Sequence, residues 1–103
     1  MGKFKTMAIE QQLKNNTLST IKRQLNPMSR NAKLVILNTI GVTKASMDDM
    51  EDSLLVSKFM ILYSEYLDGL DLDNLVRDDN YYKASMFISG KNKTELETLI
   101  KNY

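Results

Sequence analysis

The sequence contains no cysteine, no histidine and no tryptophan. Without cysteine, a disulfide framework and a thiolate metal site are excluded. Without histidine, the commonest transition-metal ligand and the usual general base near neutral pH are missing as well. Chemistry in this chain would depend on carboxylates, lysines, tyrosines and hydroxyls. We therefore predict a protein that is not an enzyme and that binds no cofactor and no metal.

Long apolar runs are also absent from the sequence. The longest unbroken run extends from Phe59 to Tyr63, whereas a membrane-spanning helix needs about 20 apolar residues. The first residues show no apolar core of a signal peptide. We expect no membrane span and a cytoplasmic location, which would be the host cytoplasm if a phage encodes the chain.

Proline and glycine are rare, with one proline and four glycines, and they lie where helices would begin or end. Asn26 and Pro27 predict a helix start, with Asn as the N-cap and Pro at the first helical position, and Gly41 predicts its end. Ser46 and Asp49 have the spacing of a capping box for the next helix. Two neighbouring apolar stripes follow it, so we predict a central apolar helix at about 47–68.

The remaining segments also have helical patterns. Residues 1–25 form one helix or two, because the polar residues 15–17 could interrupt them. Asp79 and Asn80 predict a helix that Gly90 ends, and Thr94 with Glu97 predicts a final capping box. The pattern favours an all-α fold: a compact single-domain bundle of five to seven helices around the central helix, with a basic portion at 1–44, an acidic portion at 45–79 and C-terminal helices at 80–103.

Charge is distributed unevenly along the chain. Residues 1–44 contain eight basic residues and one acidic residue, whereas residues 45–103 contain six basic and twelve acidic residues. Such a division predicts a surface with opposite charge at its two ends, or else two portions that neutralise each other in the fold. The predicted partner-binding acidic surface comprises Asp48, Asp49, Glu51, Asp52, Asp71, Asp73, Asp78 and Asp79.

The segment around Gly41 has the pattern of a helix-turn-helix, in which a glycine turn joins two packed helices. The second helix of such a unit would place Thr43, Lys44 and Ser46 near DNA. The four acidic residues that follow have the wrong sign for phosphate, so we interpret the segment as a helical corner that does not read bases. Nucleic acid could still contact a basic set elsewhere, which comprises Lys22, Arg23, Arg30, Lys33 and Lys44.

Two further patterns in the sequence could indicate a binding site. Tyr81 and Tyr82 are possible aromatic anchors, because tyrosine is favoured at protein interfaces, although they could also pack in the core. The aspartates after Gly69 suggest a calcium loop, but the positions where an EF-hand needs oxygen ligands and glycine hold apolar residues instead. We expect helix caps there.

Three hypotheses about function follow. The first is a small non-enzymatic helical protein that docks on a macromolecular partner, with a protein favoured, through the acidic surface and modulates it. The second is a helix-turn-helix-like DNA-binding regulator that uses basic residues within 17–44. The third is a phage-type structural or assembly component, in which the positive end of one copy contacts the negative end of the next to form homo-oligomers.

Overall fold

A computed structural model describes residues 2–68 and 79–103 of the chain, with side chains for 12, 14–68 and 80–103. Within this part of the chain the backbone forms six helices and no strand, which confirms the predicted all-α class. The helices are α1 (Gly2–Leu25), α2 (Arg30–Thr39), α3 (Lys44–Met47), α4 (Asp52–Asp68), α5 (Asp79–Ser89) and α6 (Lys93–Lys101).

The N-terminal segment is one helix, because α1 continues through residues 15–17 without a break. It packs against α4 and α5. Ile21 and Leu25 on its C-terminal half are buried in the core. The apolar area that these contacts bury outweighs the low helix propensity of the two asparagines, which amounts to less than about 1 kcal/mol per residue.

The start of α2 lies three residues later than the sequence indicated. Ser29 is the N-cap, and its hydroxyl accepts a hydrogen bond from the backbone N–H of Ala32 at 3.2 Å. Asn26 and Pro27 lie in the turn that follows α1. The prediction of Asn26 as N-cap was therefore wrong, because an Asn-Pro pair satisfies a turn as well as a helix start.

The predicted stop at Gly41 is confirmed. Gly41 has φ of +101° directly after the C-cap Ile40, a conformation that L side chains rarely adopt. Two backbone bonds close the turn, from Gly41 N–H to Asn38 O at 3.0 Å and from Val42 N–H to Leu37 O at 3.1 Å. The amide of Asn38 also donates to the carbonyl of Val42 at 3.1 Å. This corner directs the chain from α2 into α3.

The helix predicted at about 47–68 is divided in the structure. The four-residue α3 ends at Met47, a turn follows, and α4 begins only at Asp52. The Ser46 hydroxyl donates to the carbonyl of Thr43 at 2.8 Å, so it does not cap a helix that begins after it. Met47 is fully buried, and the chain turns after it because the core takes up this side chain.

The centre of the bundle is α2 rather than the helix at 47–68. The six consecutive residues 32–37 are all buried, and α2 packs against α3, α4, α5 and α6. By contrast, α4 is buried only along the stripe that contains Leu55, Phe59 and Tyr63, and its opposite side faces solvent. The α4 helix is thus a peripheral helix with one free face.

The C-terminal helices follow their predicted order with shifted starts. Asp79 is the first residue of α5 rather than its cap, and Gly90 ends this helix with φ of +78°. The N-cap of α6 is Asn92, whose amide donates to Glu95 at 2.7 Å, so the predicted capping box at Thr94 was wrong. The helix caps expected after Gly69, at Asp71 or Asp73, lie outside the described residues, as does Asp78 of the predicted acidic surface.

The assignment of the α2 cap can be tested by two alanine substitutions. Ser29→Ala removes the bond to the N–H of Ala32 and should lower the free energy of unfolding by about 1 kcal/mol. Asn26→Ala should change it by less than about 0.5 kcal/mol, because Asn26 is exposed in a turn. Urea unfolding followed by circular dichroism measures both values, and a larger loss for Asn26→Ala would contradict the assignment.

Candidate docking surface

The basic and acidic portions of the sequence meet inside the fold. Arg30 on α2 forms an ion pair with Asp52 on α4, with Nη1 and Oδ1 2.7 Å apart. Lys33 lies one turn further along α2, and its Nζ is 3.9 Å from the other oxygen of Asp52. Lys14 on α1 pairs with Asp68 at the far end of α4. Among the described residues, these three cations of the basic portion pair with carboxylates of the acidic portion, so the two charge runs are in contact there.

Lys33 is the buried member of this cluster, with only 5% of the residue exposed. It belongs to the buried run of α2, so its aliphatic stem lies in the protein while its ammonium group reaches the carboxylate at the edge. A buried ammonium group needs a partner of opposite charge, because desolvation of an unpaired charge costs several kcal/mol. Asp52 therefore has a structural role, although it was predicted as part of the partner-binding surface.

Three carboxylates remain at the turn between α3 and α4. Asp48, Asp49 and Glu51 are all exposed. Within the described part of the chain none of the three side chains forms an ion pair, although Arg30 donates to the backbone carbonyl of Asp48 at 3.4 Å. We call Asp48, Asp49 and Glu51 the acidic corner. Its charge is available to a partner because Arg30 and Lys33 form their ion pairs with Asp52 instead.

The C-terminal residue packs beside the acidic corner. The ring of Tyr103 lies 4.8 Å below Nζ of Lys44, and its hydroxyl is buried without a hydrogen-bond partner among the described residues. Burial raises the pKa of Tyr103 above its ordinary value, and the negative charge of Asp48 raises it further. Lys44 is thus positioned over an aromatic ring, and the phenol beside Asp48 stays neutral at physiological pH.

The predicted basic set is dispersed over the molecule. Lys22 and Arg23 are exposed on α1, whereas Arg30 and Lys33 are engaged by Asp52 and Lys44 lies over Tyr103. The helix-turn-helix pattern is also incomplete, because the helix after Gly41 has four residues and is followed by a turn. A recognition helix needs a longer exposed face to enter the major groove. The residues near Gly41 therefore form a corner between α2 and the short α3, in line with the interpretation of this segment as a helical corner.

The two candidate aromatic anchors have different environments. Tyr81 stacks on Tyr66, with ring centroids 4.4 Å apart and planes within 7°. It also contacts Tyr63, which in turn stacks on Phe59, so Tyr81 extends an aromatic cluster that belongs to the core. Burial raises the pKa of Tyr63 in this cluster. Tyr82 is 50% exposed and is the member of the pair whose ring reaches the surface.

An apolar feature of the surface was missed by sequence reasoning. Leu54 and Ile61 on α4 are 51% and 61% exposed. They are seven residues apart and lie on the side of α4 opposite the core, outside the stripe of buried residues. Leu54 lies within one helical turn of Glu51 and therefore borders the acidic corner. Angular position on the helix, rather than the share of apolar residues, would have identified both side chains.

A groove runs beside Ile61 between α1 and α4. Its volume is about 420 Å³, and it is lined by Leu18, Ser19, Lys22, Val56, Ser57, Met60 and Ile61. A second groove of about 310 Å³ lies between α2, α5 and α6, and apolar side chains such as Phe87 and Leu96 line it. The first groove is continuous with the free face of α4, so apolar and charged groups of that face adjoin a recess.

The described residues contain neither a candidate metal site nor a helix that could span a membrane. No group of three or more carboxylates there has the arrangement of a metal site. None of the described helices combines the length and the hydropathy that a membrane crossing requires.

Comparison with known proteins supplies no relative for this chain. No protein-family model, no curated protein and no solved structure matches it significantly. The features of this chain that bear on its function are therefore the acidic corner, the exposed side chains of α4 and the charges around them.

The structural role of Asp52 gives a prediction. Asp52→Asn leaves buried Lys33 without its carboxylate and should lower the free energy of unfolding by about 1–2 kcal/mol, a modest value because Asp52 is half exposed. Lys33→Met, which fills the same space without charge, should be neutral or stabilising. Asp49→Asn is the matched control, since Asp49 forms no ion pair with any described residue. Equal losses for the two aspartates in chemical denaturation would contradict the role of Asp52.

Proposed function

We propose that this protein is a non-catalytic helical binding protein that docks on a basic segment of a partner protein through the acidic corner. Asp48, Asp49 and Glu51 supply three negative charges within four residues. Such a cluster attracts lysine and arginine side chains and increases the rate of association with a basic partner. The modulation of the partner would follow from coverage of its basic surface.

The observation that carries this proposal is the pairing of Asp52. Arg30, which also donates to the carbonyl of Asp48, and Lys33 lie on α2 near the corner, and both pair with Asp52. The negative charges of the three exposed carboxylates are not compensated by an ion pair within the described residues.

An apolar contact beside the corner supports the choice of a protein partner. Leu54 is half exposed one turn beyond Glu51, so a basic segment with an apolar side chain could contact the corner and Leu54 together. Apolar anchors usually contribute most of the affinity of an interface, while charges contribute selectivity and association rate. Nucleic acid is disfavoured at this surface, because its phosphates would be repelled by three carboxylates.

The proposal can be tested by affinity capture from an extract of the source cells followed by binding measurements with the captured protein. The triple variant D48N/D49N/E51Q keeps the size of each side chain and removes the charge. We expect it to bind the captured partner at least about tenfold more weakly than the wild type at low salt, with a smaller difference at high salt because ions screen the exposed charges.

Two further variants complete the test. Leu54→Ala should weaken binding by a similar factor, while Glu97→Gln is the control, since Glu97 is an exposed carboxylate on α6. Equal binding of the triple variant and the wild type would refute the proposal. Retention of duplex DNA, lost when Lys22 and Arg23 are replaced by alanine, would favour the DNA-binding alternative instead.

A further inference from the structure

Part of the free face of α4 presents a cation, an apolar side chain and a carboxylate in a regular order. Lys58, Ile61 and Glu65 follow one another at intervals of three and four residues, so they lie on one stripe of the helix. Ile61 is the most exposed large apolar side chain of the described residues. We call Lys58, Ile61 and Glu65 the α4 stripe.

The two charged groups of the stripe have no partner within the described part of the chain. Neither Lys58 nor Glu65 takes part in an ion pair there. They cannot pair with each other, because seven residues of helix separate them by about 10 Å along the axis. The stripe therefore offers two unpaired opposite charges on either side of an exposed isoleucine.

We infer that the α4 stripe is the interface of a symmetric homodimer in which two copies of α4 pack antiparallel. The midpoint between residues 58 and 65 falls beside Ile61. A two-fold axis at this point places Lys58 of each copy opposite Glu65 of the other and brings the two Ile61 side chains together. In such an isologous contact the same pattern on both copies complements itself.

The groove beside Ile61 adds shape and charge to this arrangement. It provides a recess next to the two-fold axis, with Leu18 and Met60 as apolar lining, that can take up the partner copy's isoleucine. Lys22 also lines the groove, which gives it a positively charged edge. A second copy satisfies every unpaired group of the stripe, which an arbitrary apolar partner would not do.

The predicted interface is small. It comprises one face of a 17-residue helix, which is about 25 Å long, and the edge of α1 beside it. Stable interfaces bury about 1,200–2,000 Å² in total, and this contact lies at or below the lower end of that range. We therefore expect a dimer that forms reversibly and dissociates on dilution. The acidic corner lies beyond the N-terminal end of α4 and takes no part in this contact, whereas Leu54 lies on the same side of α4 as the stripe.

Charge reversal tests the inference by sedimentation equilibrium over a range of protein concentrations. Lys58→Glu and Glu65→Lys each place like charges opposite one another, and each should weaken dimerisation at least about tenfold. The double variant K58E/E65K restores opposite charges across the two-fold axis and should recover dimerisation to within about threefold of the wild type. Ile61→Ser should abolish the dimer without loss of fold, because the side chain is exposed.

The controls use a pair of opposite charges on another helix. Glu97→Lys and the double variant E97K/K101E make the same charge changes on α6 and should leave dimerisation unchanged. A monomeric wild type at every concentration would overturn the inference, as would a double variant that fails to recover. Larger salt-sensitive species that respond to neither single reversal would indicate head-to-tail assembly and would overturn this interface as well. Circular dichroism confirms that each variant is folded.

Discussion

Burial of six consecutive residues of α2, from Ala32 to Leu37, requires neighbours on every side of a helix that is only ten residues long. Four other described helices provide these neighbours: α4, α5 and α6 pack around α2, and the short α3 packs at its end. The same constraint draws Lys33 into the interior. Its ammonium group then needs a carboxylate, which fixes Asp52 at the start of α4 and leaves the neighbouring carboxylates of the acidic corner unpaired.

Much of the fold could be predicted from the sequence because its signals are local. Gly41 and Gly90 end helices at positive φ, which few other residues tolerate, and helical spacing of apolar residues identifies the helices between them. The helix starts were predicted less well. Ser29 rather than Asn26 caps α2, Asn92 rather than Thr94 is the N-cap of α6, and Ser46 does not cap a helix that begins after it. Several polar residues near a boundary can serve as caps, and packing selects among them.

The central helix and the site depend on contacts that the order of residues does not reveal. The apolar stripes of α4 are wide, yet α2 is the helix enclosed by the others, because burial depends on which faces are covered. The pairing of Asp52 with Arg30 and Lys33 joins residues about 20 positions apart, and the stacking of Tyr81 on Tyr66 crosses between α4 and α5. A charge count along the chain left open whether the two portions form opposite poles or neutralise each other, and the fold pairs three cations of the first portion with carboxylates of the second.

The acidic corner precedes α4 and the α4 stripe lies on it, and this arrangement has a consequence for binding. An antiparallel pair of α4 helices with its axis beside Ile61 would place the two acidic corners at opposite ends, about 30 Å apart, given a rise of 1.5 Å per residue. A partner with two basic segments at that separation could occupy both corners at once, so the second contact would form at a high effective concentration. Such a partner would also stabilise the dimer, because it binds two linked copies more tightly than two separate ones. A weak dimer contact and a modest electrostatic contact would then reinforce each other, which neither small surface could achieve alone.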